Sequence, residues 1–243
     1  MIHENIRIEE TNINLITDIV NHNLYSFIIS QRTKLKNYIY RNPYFLISFE
    51  PVSIDDSSPK IVKLMAKASR KAGVGPMASV AGTISQLSLE YLIRKGSRQS
   101  IVDNGGDISL INKRKKVIVG LYAGDSPFSG KIGFKIKKNK KPLGICTSSG
   151  TVGHSISFGR ADAVTVFAEN ASVADAIATS IGNYATGKKD DEALQNALDR
   201  ADDLKEHFKG VLIIVGEHAG VVGKIPKLVA TNKKVVLSEL WEI

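Results

Sequence analysis

The stretch GICTSSGTVGHSISFGRADAVTVFAENASVADAIATSIGN, Gly144–Asn183, decides how this chain reads. It joins an apolar run, a turn rich in Gly, Ser and Thr, one histidine, a second apolar run and a helix of very small side chains. A chain that needs only a core has little use for so many small polar groups beside one histidine. Exposed amides and hydroxyls at such a turn can cradle a phosphate, and the helix after it can offer oxygens to a metal. In that helix Asp175 and Thr179 stand four apart and share a face. A carboxylate and a hydroxyl one turn apart are hard oxygen ligands suited to Mg²⁺ or Ca²⁺. The competing reading is a capping box, with Ser172 as N-cap and Asp175 three residues on. The turn itself, Thr147, Ser148, Ser149 and Gly150 onward, supplies hydroxyls and amides but lacks the lysine of a P-loop. His154 closes it, between Gly153 and Ser155, where an imidazole can orient a phosphate or carry a proton near neutral pH. Cys146 offers a nucleophile to that histidine, but it sits in an apolar strand-like run.

Upstream, Asn104-Gly105-Gly106-Asp107 reads either as a hairpin turn or as a glycine pair that lets backbone reach a ligand held by Asn104 or Asp107. Strand-like runs surround it: Ser100–Val102, Ile108–Asn112, Val117–Tyr122, Lys131–Ile136, Leu143–Cys146 and Ala163–Ala168. Before them, Ser58-Pro59 reads as an N-cap followed by a helix-starting proline, and Pro76 opens a second helix that Gly96 closes. The first turns of that second helix are nearly all small, and Gly82 weakens it by about 1 kcal/mol relative to alanine. Something must therefore approach its backbone closely, either a sheet or a ligand. At the start of the chain, residues 5–17 alternate like a strand or ribbon, and the apolar stripe from Val20 to Ile39 predicts a helix ending before Pro43. Downstream, Asp190–His207 is amphipathic, and Val211–Val215 and Lys233–Leu237 read as closing strands. Strands in runs and helices in pairs predict α+β, with mainly antiparallel sheets packed with helices. The expected organisation is one domain over 1–243, its first 42 or so residues packing on the core.

Bulk properties narrow the function. The chain has 243 residues and 43% apolar side chains, enough to fill a core. Its single cysteine excludes an intramolecular disulfide framework and a cysteine-based zinc cluster. With no apolar run long enough to span a membrane and a polar N-terminus, a cytoplasmic protein is expected. Net charge is +9, and its lysines cluster at turns: Lys113 to Lys116 around Arg114, Lys137 to Lys141 around Asn139, and Lys188-Lys189. No aromatics interleave with them, so the sequence points away from nucleic acid as a partner and toward an anionic small molecule.

Several of these motifs occur in an order that resembles the ApbE-like superfamily, which includes transferases that use FAD and Mg²⁺ to attach FMN to a protein threonine or serine. The carriers are VDNGGDI (Val102–Ile108), CTSSG (Cys146–Gly150), His154 and ADAVTVFA…VADAIATSIGN (Ala161–Asn183). GVGPMASVAG, NGGDIS and YAGDSPFSGKIG are similar to a shorter archaeal and bacterial branch of that superfamily, over nearly the whole chain. The resemblance implies an ApbE-like, T-fold-like domain. It assigns Mg²⁺ to Asp175 and Thr179, and the flavin nucleotide (FAD or FMN) to Asn104–Asp107 and to Thr147–Gly150. It gives proton transfer to His154 and implies a protein acceptor. His154 is followed by SISFGRAD, where the transferases carry Pro-x-Thr-Gly. A module that binds a flavin, nucleotide or other anion without turning it over is therefore the alternative.

Overall fold

A computed structural model describes residues 1–150 and 158–231. Its spine is an eight-stranded sheet in the order β1-β2-β3-β4-β7-β8-β9-β10, and every neighbouring pair is antiparallel. The strands are β1 (Ile2–Ile8), β2 (Thr11–Thr17), β3 (Gln99–Asn104), β4 (Asp107–Asn112), β7 (Asn139–Ser148), β8 (Ala163–Ala168), β9 (Gly210–Val215) and β10 (His218–Gly223). A second sheet, ordered β11-β6-β5, holds β5 (Val117–Gly120), β6 (Ile132–Ile136) and β11 (Lys227–Ala230). The fold is α+β with antiparallel sheets, as the sequence predicts.

Period-two alternation sorts the large sheet's side chains between two cores. Val164, Val166, Ala168, Val211 and Ile213 face the helices. Ala163, Phe167, Leu212 and Ile214 face the other way, with Phe134, Ile136 and Leu121 from the smaller sheet and its flank. Strand β8 is buried on both faces, which explains why its sequence is an unbroken apolar run rather than an alternating one.

The helices are α1 (Leu24–Arg41), α2 (Tyr44–Ile47), α3 (Lys60–Ala72), α4 (Val80–Arg94), α5 (Ala171–Tyr184) and α6 (Asp190–Asp203). A 3-10 turn over Pro76–Ser79 leads into α4. The predicted N-terminal ribbon is the β1–β2 hairpin, and with α1 it walls a third core beneath α3 and α4. Tyr44–Ile47 forms the single turn α2. Ser58 does not cap α3. Pro59 holds the N-cap position, and the Ser58 hydroxyl is buried without a hydrogen-bond partner among the described residues. The predicted closing strand at Lys233–Leu237 lies outside the described residues. Two strands went unread, β10 and β11, because their exposed, glycine- and lysine-bearing sequences carry no clean alternation.

Helix α5 is central. Eleven of its fourteen residues are buried, and it lies on β7 and β8 with α3, α4 and α6 around it. Such a helix can have only small side chains where backbone comes close. A Cβ on Gly144 of β7 would stand 2.5 Å from the Ala171 Cα, so that glycine seats the start of α5 on the strand. Gly82 does the same between helices: its Cβ would stand 2.5 Å from the Ala171 carbonyl oxygen and 2.7 Å from the Asp175 Cβ. The close neighbour that the sequence demanded at Gly82 is therefore helix α5, not a sheet. Gly82→Ala gains about 1 kcal/mol of helix propensity, yet it must push two backbones apart at a net cost of roughly 1–3 kcal/mol. A fall of several degrees in Tm is expected by calorimetry; an unchanged or higher Tm would contradict this packing.

Candidate functional site

The crossing of α4 and α5 is stitched by polar groups as well as by the glycine. The Gly82 N–H, in the first turn of α4, donates to Asp175 Oδ2 at 2.8 Å. Four residues further along α4, Gln86 Oε1 accepts from the Ser172 N–H at 3.2 Å and from its hydroxyl at 2.8 Å. Each helix thus satisfies an orphan amide in the first turn of the other. The capping box drawn from sequence is replaced by this exchange: Asn170 holds the N-cap position of α5 without a side-chain bond, and Asp175 serves α4 instead. Spacing along one helix could not show that a second helix competes for the same carboxylate.

The Asn104-Gly105-Gly106-Asp107 segment is the hairpin between β3 and β4, with Asn104 opposite Asp107. Gly105 and Gly106 have φ of 66° and 100°, the left-handed region in which glycine is free and other residues are strained. Asp103 Oδ1 accepts the Gly106 N–H at 2.8 Å and fixes the turn. Asn104 donates to the Ala81 carbonyl at 3.2 Å, which ties the hairpin to the start of α4. Asp107 pairs in register with Cys146 of β7. The Cys146 thiol is fully buried and donates to the Ala171 carbonyl at 3.3 Å. Burial and the neighbouring Asp107 and Asp175 push it well above its usual pKa, so it remains a thiol and not a nucleophile.

These contacts gather acids into one corner. Burial pushes the Asp175 carboxyl, 9% exposed, up to about 7, against the lowering effect of the Gly82 bond. Asp107 is half-buried and is also raised, first by desolvation and then by the charge of Asp175. Asp103 is raised by desolvation as well. One turn beyond Asp175, the Thr179 hydroxyl lies 3.4 Å from the Ala78 carbonyl oxygen. That is long for an O–H···O bond, for which about 2.7–2.8 Å is usual, so the hydroxyl is held near the carbonyl without being committed to it. Asp175, Thr179 and the Ala78 carbonyl form a set of hard oxygen donors. Among the described residues no three His, Cys, Asp or Glu side chains are grouped to hold a metal. One carboxylate, a hydroxyl and a carbonyl are donors of the kind that Mg²⁺ takes when substrate phosphates complete its shell.

The Gly/Ser/Thr segment is placed differently from the turn expected. Thr147 and Ser148 end strand β7, and the bend begins after them. Ser148 lies on the helix face beside α5, its hydroxyl 3.5 Å from where a Cβ on Gly182 would be. Thr147 points to the opposite face and shares a hydrogen bond with Thr165 at 3.0 Å. Gly150 donates its N–H to the Ala161 carbonyl at 2.8 Å. A Cβ on Gly150 would stand 2.1 Å from the Gly159 carbonyl oxygen, so chain packs directly against it. His154 lies outside the described residues. Two open clefts, of about 180 and 300 Å³, flank Asn170 at the start of α5, and none of the described sequence-selected residues lines either one. The residues that sequence reasoning missed are Ala78, Asp103 and Gln86. Only the small-residue run around Gly82 hinted that this helix start mattered.

The comparisons with known proteins agree with this architecture. Residues 3–221 match the family described as AbpE bacteria. The chain belongs to that family. A UPF0280 protein of Methanothermobacter thermautotrophicus is 62% identical over 98% of this chain and 92% of its own length. A UPF0280 protein of Methanococcus maripaludis is 52% identical over 99% of this chain and 98% of its own. Among solved structures, the apo flavinyl transferase ApbE of Pseudomonas stutzeri superposes with a TM-score of 0.60 at 11% identity, covering 96% of this chain and 94% of that one. A mutant of the flavin transferase ApbE from Vibrio cholerae gives 0.57 at 14% identity, covering 96% and 97%. At such identities the likeness is one of fold. No helix among the described residues is long and apolar enough to cross a membrane.

The raised Asp175 carboxyl has a measurable consequence. Its folded value of about 7 lies above the ordinary 3.8. The native state therefore holds the proton more tightly than the unfolded chain, and stability falls as pH rises between those two values. Asp175→Asn keeps an acceptor for the Gly82 N–H and removes the charge. It is expected to raise Tm by several degrees at about pH 8 and to change it little at about pH 4. A Tm at pH 8 equal to or below the parent's would contradict the assignment.

Proposed function

We propose that this family member is a Mg²⁺-dependent enzyme acting on the phosphoanhydride of a flavin nucleotide, transferring FMN from FAD to a protein hydroxyl or catalysing a related cleavage. The observation that carries this reading is the corner where a buried Asp175 and a half-buried Asp107 feel each other's charge, with the Thr179 hydroxyl and the Ala78 carbonyl one turn along α5 from Asp175. Two carboxylates in such a place repel each other, and a divalent cation converts that repulsion into binding. A cation held there would supply charge neutralisation to the diphosphate of the nucleotide.

The chain's own residues then divide the work. Asp175, Thr179 and the Ala78 carbonyl hold the cation side of the site. The Gly105-Gly106 turn, with no atom of the described residues within 4 Å of either Cβ position, lets a nucleotide approach the backbone. Ser148 lies beside Gly182, two turns along α5 from Asp175, and together with Ser149 and Gly150 it is assigned the phosphate from its position in sequence. The Gly82 bond keeps one Asp175 oxygen in place and leaves the second for a ligand. His154 is assigned the proton, from its position in sequence. The flavin transferases named above support the reading through their shared fold.

The test is to incubate the purified chain with FAD and Mg²⁺ and to follow AMP release by chromatography. Turnover is expected, and Asp175→Ala is expected to lower it by about 10²-fold. FAD that binds in a Mg²⁺-dependent way and stays intact would instead favour the binding module. Neither binding nor turnover would overturn both readings. A second check uses no catalysis: Mg²⁺ with ADP is expected to raise the Tm of the parent and not that of Asp175→Asn, and equal shifts would remove Asp175 from the metal site.

A further inference from the structure

The positive charge of this chain is local. Lys113, Arg114, Lys115 and Lys116 form the loop between β4 and β5, and Lys137, Lys138, Lys140 and Lys141 surround the bend between β6 and β7. Without these eight, 25 of the 33 basic residues remain against 24 acids, and the excess of +9 nearly vanishes. Sequence shows two separate clusters. The fold makes them one: the buried Asn112 side chain donates to the Lys137 carbonyl at 2.9 Å and to the Lys115 carbonyl at 3.3 Å. Gln99 holds the first loop from the other side, accepting the Arg114 and Lys115 N–H groups at 3.4 Å each. All eight side chains are exposed. Among the described residues Arg114 alone has an acid within ion-pair reach, Asp18 at 3.6 Å.

Eight like charges pinned side by side repel one another and focus a strong local field. Such a patch suits a partner with a regular, dense array of negative charge. Three features select the partner. Lysine is depleted in protein–protein interfaces, which use aromatics, Met and Arg, whereas seven of these eight residues are lysines. No aromatic or large apolar side chain lies in either loop, and the one exposed apolar neighbour among the described residues of β5, Ile118, is too little to anchor a lipid surface or to stack on single-stranded bases. Among the described residues no helix begins or ends in either loop to enter a groove and read base edges.

We propose that the paired loops form a docking surface for the phosphate backbone of double-stranded nucleic acid, independent of base sequence and separate from the Asp175 corner. Along β4 the two lie roughly 17–20 Å apart, from the β-strand rise between Asp107 and Asn112. The lack of interleaved aromatics, which points away from stacking on single strands, leaves binding to a duplex backbone open.

Fluorescence anisotropy with a labelled mixed-sequence duplex tests this. The expected Kd is on the order of 10⁻⁶–10⁻⁴ M near physiological salt, with log K falling against log salt at a slope of about −4 or steeper. Replacing Lys113, Lys115, Lys137 and Lys140 with glutamine is expected to weaken binding more than about tenfold at low salt and to flatten the slope by about 3. Replacing Lys63, Lys67, Lys188 and Lys189 with glutamine removes the same charge elsewhere and is expected to leave affinity within about threefold. Equal losses in the two variants, or a slope shallower than about −1, would overturn the proposal. So would binding to anionic lipid vesicles in preference to the duplex. FAD turnover by the first variant would be unaffected, which separates failure here from failure at the Asp175 corner.

Discussion

The contact between Gly82 and Asp175 is the constraint on which the rest of the structure depends. It joins α4 to α5, and α5 is the helix that rests on the centre of the large sheet. A glycine at this point lets the two backbones meet, and its N–H finds a carboxylate at 2.8 Å. The carboxylate cannot turn outward without leaving a buried amide unpaired, which costs about 1–3 kcal/mol. Helix packing therefore fixes an acid where water is scarce, and the raised Asp175 carboxyl is the direct result.

That fixed acid organises its neighbours. Asp107 reaches the same corner from the β3–β4 hairpin because β4 pairs with β7 and brings Asp107 opposite Cys146. Asn104 ties the hairpin to Ala81, and Thr179 follows Asp175 by one turn of α5 and lies against Ala78. Each link is a backbone or short side-chain contact, so the group is held by the scaffold and not by long flexible arms. Precise placement of hard oxygens on rigid elements is what a cation site with phosphate co-ligands requires. The alternating faces of β7 explain why Ser148 lies on the α5 side, beside Gly182, and Thr147 on the other.

Much of the fold was legible in the sequence because its elements are strongly marked. The unbroken apolar run of β8, the small-residue helix α5 and the Asn-Gly-Gly turn each have one good structural solution. What was not legible depends on elements meeting from afar. Asp175 reads as a capping residue within its own helix, and only the approach of α4 shows that it caps the other one. Ser172 likewise serves Gln86, 86 residues earlier in the chain. Gly82 announced a close neighbour but could not name it. Strands β10 and β11 pair along edges and carry exposed polar residues, so periodicity had little to detect. The two lysine loops looked unrelated because Asn112, the residue that joins them, reads as an ordinary strand end.

The proposed function stands on a desolvated Asp175 carboxyl as part of a divalent-cation site. The most direct measurement is a ¹³C NMR titration of that carboxyl in the folded protein, without and with Mg²⁺ and a nucleoside diphosphate. An apparent pKa near 7 in the free protein, falling by more than a unit when cation and diphosphate are added, is the predicted result. A pKa in the ordinary aspartate range, or one that does not respond to the cation, would contradict it.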